Sequence, residues 1–284
     1  MNFIIFAATF YTLILVGMYL LQTKLVYPGS EIRAKPELYG GAGVQEITLT
    51  SSDGIELTHW YQPATKPDYP VIVAFHGNAG HTGDRLAKLS YLTELGYGLF
   101  QVEYRGYAGH AGTPSEQAFK SDGMDVMNWL KGQGYADEQL IMYGESLGTG
   151  MAVWLASKHK VKAVILEAPY SSIADVAQSK YWFLPARFLL KDKWQSDEAI
   201  KNVKTPVFIF HGEKDGVIPV QFSRKLLNAI QSEKQATFFE KGFHMDLYDH
   251  GAAKDVMAFL DKYVMPPENQ KAKNQKADNK METQ

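Results

Sequence analysis

The sequence predicts an α/β fold, a mainly parallel central sheet with helices on both faces, preceded by an N-terminal transmembrane helix. Three observations predict it. Short apolar runs alternate with stretches of helical periodicity along the middle of the chain. The runs are short and apolar, as strands buried on both faces of a sheet are. Setting aside two unusual ends leaves about 240 residues, enough for one large domain.

Residues 3–21 read FIIFAATFYTLILVGMYLL, and no side chain before Lys24 carries a charge. As a helix they span about 28 Å, close to the hydrocarbon thickness of a bilayer. Tyr19, Lys24 and Tyr27 suit the interface at its C-terminal end. A cleaved signal peptide would want a basic start, a shorter apolar core and small residues at a cleavage site. A buried core helix would show a polar stripe. Residues 1–23 are therefore read as a retained anchor. Lys24, Arg33 and Lys35 follow it, which by the positive-inside rule puts the following domain on the cytoplasmic side.

Residues 44–50 and 55–61 flank Ser52-Asp53-Gly54, a hairpin signal. Val71–Phe75 (VIVAF) is bounded by Pro70 and Gly77 and reads as a buried strand. Residues 85–95 are helical in period and 98–104 are strand-like. Pro114 suits the first position of a helix that continues over 118–130. Strand 140–143, helix 147–158 and strand 163–166 follow. Strand 207–210, helix 222–230, strand 236–240 and helix 253–264 complete the series. Residues 170–203 break the rhythm. They are rich in aromatics, including Tyr181, Trp182, Phe183 and Trp194, and read as helices packed on the core or a cap over a site. The domain is set at 24–265. Residues 266–284 hold no aromatic and almost no aliphatic side chain, and are expected to form a disordered polar tail.

Composition excludes several functions. The 284 residues include 29 Lys and Arg against 31 Asp and Glu, a net charge of −2, and no Cys. Disulfides, thiolate catalysis and Cys-ligated clusters are excluded. A nucleic-acid partner is not expected without a basic face. No His-Glu-x-x-His or similar spacing appears, so neither a metal nor a cofactor is expected.

Ligands of open α/β sheets bind beyond the carboxyl ends of the strands. One such end carries Gly144-Glu145-Ser146-Leu147-Gly148, a G-x-S-x-G pattern between a strand and a helix. A sharp turn there needs small residues on both sides of a strained nucleophile, so Gly144 and Gly148 are the elbow glycines. Ser146 then projects its hydroxyl above the sheet, and the Leu147 N–H can face a developing oxyanion. A serine hydroxyl needs a base. His244, after the last strand, is the best candidate. Asp215, after the strand before it, would fix the imidazole. Glu213 and Asp246 compete for that role, but motif position and chain order favour Asp215. His211 reads as structural, because one base suffices. His81 and His110 are candidates for a pocket mouth, and exposed loop positions suit them equally.

The order Ser146, Asp215, His244 is that of an α/β-hydrolase triad. HGNAG at 76–80, YRGYAG at 104–109, GTPSE at 112–116, GESLG at 144–148, HGEKDGVIP at 211–219 and GFH at 242–244 resemble, in order, the membrane-anchored bud-emergence-type (Bem46-like) serine hydrolases. The likeness covers about residues 24–265. Glu103, where that family more often has Asp, and Ala108-Gly109-His110 are departures. The resemblance implies that the Asn78 N–H is the second oxyanion donor. It also accounts for Gly77 and Gly80 as places where backbone approaches substrate. The side chains of His76 and Asn78 are read as turn-stabilising.

The function expected is that of a membrane-anchored serine hydrolase acting through an acyl-enzyme. Carboxylic esters or acyl thioesters, small or lipid-like, rank above peptides. A serine peptidase or amidase on the same triad is the alternative. A non-catalytic membrane-tethered binding module of this fold is another, though it need not keep nucleophile, base, acid and oxyanion turn together. The sequence carries no signal for oligomeric state.

Overall fold

The computed structural model describes residues 2–66 and 68–264; the tail expected at 266–284 lies outside the described residues. The chain opens with α1 (Asn2–Val26). Its stretch Phe3–Val26 contains 18 residues with a mean hydropathy of 2.2 and is long and apolar enough to cross a membrane. Thr9 and Thr12 return their hydroxyls to the carbonyls of Ile5 and Ala8, so neither needs water. The last turns pack on the rest of the molecule. Gln22 is buried, donates to the Leu189 carbonyl at 3.3 Å and accepts from the Lys191 amide at 2.7 Å. Tyr27, just past the helix, takes the Trp194 indole N–H at 2.8 Å and packs edge-on against Phe119.

Next come β1 (Gln45–Thr50), β2 (Glu56–Gln62), β3 (Val71–Phe75), α2 (Thr82–Glu94), β4 (Gly98–Val102), α3 (Glu116–Gly132), β5 (Leu140–Glu145), α4 (Gly148–Ala156) and β6 (Ala163–Glu167). Three short helices fill the stretch that broke the rhythm: α5 (Ile173–Lys180), α6 (Ala186–Leu189) and α7 (Ser196–Ala199). The chain then runs through β7 (Val207–Gly212), α8 (Gln221–Ala229), β8 (Lys234–Phe239) and α9 (Ala252–Tyr263). The strands form one sheet in the order β1-β2-β4-β3-β5-β6-β7-β8. β1 pairs with β2 and β2 with β4 antiparallel, and every later pairing is parallel.

The apolar runs make sense in this sheet. Val71, Val73 and Phe75 join the core on one face, with Phe119 and Leu130 of α3 and Leu155 of α4. Ile72 and Ala74 point to the other, against Leu86 and Leu89 of α2 and Phe259 of α9. A strand covered on both faces has no position left for a polar residue.

Most boundaries shift by a few residues from the sequence reading, and three show why. α2 starts at Thr82 because the Asp84 carboxylate accepts the His81 amide at 3.1 Å and closes the first turn. Pro114 is not the first residue of α3. Ser115 caps that helix, its hydroxyl accepting the Ala118 amide at 3.1 Å, which leaves Pro114 outside. β8 begins at Lys234, in register with Val207 of β7, and ends at Phe239.

Strand order reverses at β3, which has β4 on one side and β5 on the other. The loop after β3 and the turn after β5 therefore diverge at a switch point, where α/β sheets open a crevice.

Candidate active site

Ser146 occupies the turn between β5 and α4 with φ at +50°, a left-handed backbone that a residue with a Cβ adopts at a cost. Its amide donates to the Glu167 carbonyl at 2.9 Å, and its carbonyl takes the Thr149 hydroxyl at 2.6 Å. The flanking glycines are forced by contact. A Cβ on Gly148 would stand 2.1 Å from the Phe75 carbonyl oxygen, and one on Gly144 would stand 2.5 Å from Thr149 Cα. That closeness brings the ends of β3 and β5 together.

His244 lies in the turn after β8, and its Nε2 is 3.0 Å from Ser146 Oγ. Its Nδ1 is 2.6 Å from Asp215 Oδ2. An ionised carboxylate only accepts, so Nδ1 carries the proton and Nε2 is free to accept from the serine. The two loops meet because Gly212 lies against Gly242: a Cβ on Gly212 would be 2.3 Å from the Gly242 carbonyl oxygen. Asp215 Oδ1 takes the amides of Val217 and Ile218 at 2.7 and 2.8 Å. Burial alone would raise the Asp215 carboxyl. The hydrogen bonds from His211, His244 and the Ile218 amide outweigh it and hold the group well below the usual carboxylate range.

His211 is the residue that sequence reasoning undervalued. It is fully buried, and its Nε2 is 2.8 Å from Asp215 Oδ2 and 2.9 Å from the Ile218 carbonyl. Its Nδ1 is 2.5 Å from Ser223 Oγ, whose hydroxyl also reaches the Pro169 carbonyl at 2.6 Å. The available signal was its membership of the same HGEKD stretch as Asp215.

Asn78 and Leu147 line the same cavity wall as Ser146. Two buried tyrosines steady the backbone on either side. Tyr107 donates to the Asn78 carbonyl at 3.4 Å and Tyr170 to the Leu147 carbonyl at 3.0 Å. Neither tyrosine was singled out from the sequence.

Other residues fall elsewhere. Glu213 pairs with Arg224, and Asp246 accepts the Phe243 amide at 2.6 Å, so both serve their own loops. His81 and His110 do not line the cavity; His110 accepts the Thr58 amide at 2.9 Å. His76 is buried with Glu103 at 2.9 Å, and its Nδ1 meets the Gly77 carbonyl at 2.7 Å. Gly77 and Gly80 are also crowded by protein atoms. A Cβ on Gly77 would be 2.9 Å from Glu145 Oε1, and one on Gly80 2.3 Å from Asp84 Oδ2. Gly77 thus leaves room for the buried Glu145 carboxylate, and Gly80 for the half-exposed Asp84. Behind the elbow, Arg85 holds Glu145 at 2.6 Å and Lys88 holds Glu167 at 2.7 Å. Among the described residues no cluster of His, Asp and Glu could hold a metal ion.

The cavity above Ser146 holds about 220 Å³ and is largely apolar. Its walls include Met18, Gln22 and Val26 of α1, Val176 of α5, Leu184, and Leu189 of α6. The N-terminal helix, read from the sequence as an anchor only, is thus part of the pocket.

The family model described as serine aminopeptidase, S33, matches residues 66–196 and 186–251. An uncharacterized protein of Mycobacterium tuberculosis is 36% identical over 193 residues, covering 67% of this chain and 69% of its own length. Lysophosphatidylserine lipase ABHD12 of Rattus norvegicus is 33% identical over 215 residues; the match covers 67% of this chain and 54% of the lipase. Among solved structures, the Est1E protein of Butyrivibrio proteoclasticus, with ferulic acid bound, superposes with a TM-score of 0.66 at 18% identity, over 77% of this chain and 99% of that one. The Pyrococcus furiosus esterase Pf2001 gives 0.65 at 15% identity, over 83% and 98%. At such identities the likeness is one of fold.

Proposed function

We propose, from the premise that this chain belongs to the α/β-hydrolases of the serine aminopeptidase S33 family, that it is a membrane-anchored serine hydrolase of acyl esters. The observation that carries the reading is the series Ser146 Oγ, His244, Asp215, at 3.0 and 2.6 Å. Ser146 Oγ attacks the acyl carbonyl as its proton passes to His244 Nε2. The N–H groups of Asn78 and Leu147 receive the charge that develops on the carbonyl oxygen. His244 then returns its proton to the departing oxygen, and the C–O bond breaks. Water attacks the acyl-enzyme with His244 again as base, releasing the acid and restoring Ser146. Asp215 keeps the imidazole oriented and stabilises it when charged.

An ester of an apolar acyl chain fits the walls of the cavity better than a peptide, whose amides would lack partners there. The lipase name of the ABHD12 relatives points the same way. A thioester would react by the same steps. α1 is the membrane anchor, and Lys24, Arg33 and Lys35 favour a cytoplasmic domain.

The test is labelling of the full chain with a small fluorophosphonate, followed by turnover of acyl esters, acyl thioesters and peptide amides. Labelling at Ser146 that vanishes in Ser146→Ala is expected, with ester turnover exceeding amide turnover. Unchanged labelling in Ser146→Ala removes Ser146 as nucleophile. Amide turnover without ester turnover replaces the esterase by a peptidase. Folded protein that neither labels nor turns over would be a binding module. Sidedness is read separately. The chain has no cysteine, so Lys160→Cys, at an exposed position, gives a single thiol for impermeant maleimide on oriented vesicles.

A further inference from the structure

The segment from the end of α5 through α6 carries exposed apolar side chains. Trp182 is 79% exposed and Phe188 88%, and Phe183 is half-exposed. Such a cluster on a water-facing loop is costly and marks a surface that meets an apolar partner.

Its position identifies the partner. The Phe183 carbonyl accepts the Tyr11 hydroxyl at 2.9 Å. Tyr11 lies within the apolar stretch Phe3–Val26. The Lys191 ammonium stands 4.6 Å over the Tyr19 ring, and a cation on an interfacial aromatic is typical of headgroup depth. Tyr11 is eight residues earlier on the helix, about 12 Å deeper along its axis. Phe183 is therefore at hydrocarbon depth whenever α1 spans. The Tyr11 hydroxyl has the partner that a polar group in lipid requires, and it comes from this segment. Lys180 precedes the apolar residues, and Arg187, within the segment, has its charge paired with Asp175 at 2.6 Å. A second copy of the chain has no comparable claim, because the segment is continuous with an element already in the bilayer.

The cavity lies between the same two elements. Met18 and Tyr19 of α1, Leu184, Leu189 and Ser146 all line it.

We propose that residues 181–189 enter the bilayer beside α1, and that the cavity between them admits the acyl chain sideways from the membrane to Ser146. The proposal rests on the esterase reading for its second half only. A chain that slides in from lipid never crosses water, so long acyl esters present in a membrane are favoured over short soluble ones. Access is set by the gap between α1 and the segment.

The test uses the full chain in vesicles of phosphatidylcholine with mid-chain bromines, which quench tryptophan only on contact. Of the five tryptophans, Trp60 and Trp194 are deeply buried and Trp182 is the one most exposed. Quenching in the native chain that is lost in Trp182→Phe is expected. Equal quenching in both places Trp182 in water and overturns the proposal. So does blue-shifted Trp182 emission that escapes bromine and grows with protein concentration, the signature of a second copy. Met18→Trp, which fills the cavity from α1, is expected to lower the ratio of long-chain to acetyl ester turnover at least about tenfold. An unchanged ratio overturns the sideways path. Fluorophosphonate labelling of the native chain in the same vesicles keeps the two readings apart. Its absence removes the Ser146 chemistry while the quenching still reports the depth of Trp182.

Discussion

His211 Nε2 lies 2.8 Å from Asp215 Oδ2, the oxygen that His244 Nδ1 meets at 2.6 Å. With the Val217 and Ile218 amides on Oδ1, the carboxylate has four donors. That is its full acceptor capacity. Asp215 is thereby locked in position and ionised before any substrate binds.

Replacing His211 by Leu is expected to leave this buried carboxylate one donor short. Thermal unfolding should show a loss of about 1–3 kcal/mol. Fluorophosphonate labelling should slow without being abolished, because Ser146 and His244 are untouched. Abolished labelling in a folded His211→Leu protein would mean that Asp215 cannot orient His244 without His211.

Substitutions in the series itself should act on rate far more than on stability. His244→Ala and Asp215→Asn are expected to lower ester turnover by about 10⁴-fold or more. Ser146→Gly should abolish turnover yet raise stability by about 1 kcal/mol, by relieving a left-handed serine. Calorimetry beside turnover checks both, and an unchanged or lower melting temperature would count against stored strain at Ser146.

Two glycine substitutions should have opposite signs. Gly148→Ala puts a methyl 2.1 Å from the Phe75 carbonyl oxygen, where only backbone can yield. A loss of about 3 kcal/mol is expected, with loss of turnover. Gly132→Ala, at the end of α3, meets nothing within 4 Å and should stabilise by about 0.5–1 kcal/mol. Denaturant midpoints of the two variants decide it.

Glu103 should govern part of the acid stability. Burial would raise its carboxyl, but His76 beside it and the Thr82 and Tyr104 amides bring it down to about 2. A carboxylate held lower in the folded than in the unfolded chain stabilises the fold above its unfolded pKa. That contribution fades as pH falls through the folded value. Glu103→Gln should therefore cost about 3 kcal/mol at pH 7. The gap to the native chain should close between about pH 4.5 and 2. A gap that stays constant over that range would mean that the Glu103 charge contributes nothing.

The sequence was most legible where one physical demand acted alone. Val71–Phe75 matches its expected span residue for residue, because a strand covered on both faces leaves an unbroken apolar run. The starts of α2 and α3 were less legible, since they depend on the Asp84 and Ser115 side chains turning back onto backbone. The order of Ser146, Asp215 and His244 could be read, but Ser146 and His244 are 98 positions apart and no spacing gives their distance. α1 was read as an anchor because it is apolar all round, which hides the face that packs. The one clue was Gln22, a polar residue near the end of an apolar helix, and it is the residue bonded to Leu189 and Lys191.

With α1 spanning a bilayer as proposed, the bond from Trp194 Nε1 to Tyr27 Oη, with Gln22 five residues before it, decides what kind of tether the helix is. A domain on a slack linker swings freely above the membrane and samples every heading. Here the helix leads straight into a buried tyrosine, so the domain has no swivel. Its height and tilt follow those of the helix, and the mouth of the cavity keeps one bearing. For the membrane-anchored esterase proposed above, encounters with substrate would then be a two-dimensional matter, governed by how many acyl chains diffuse past that bearing within the leaflet rather than by their concentration in solution.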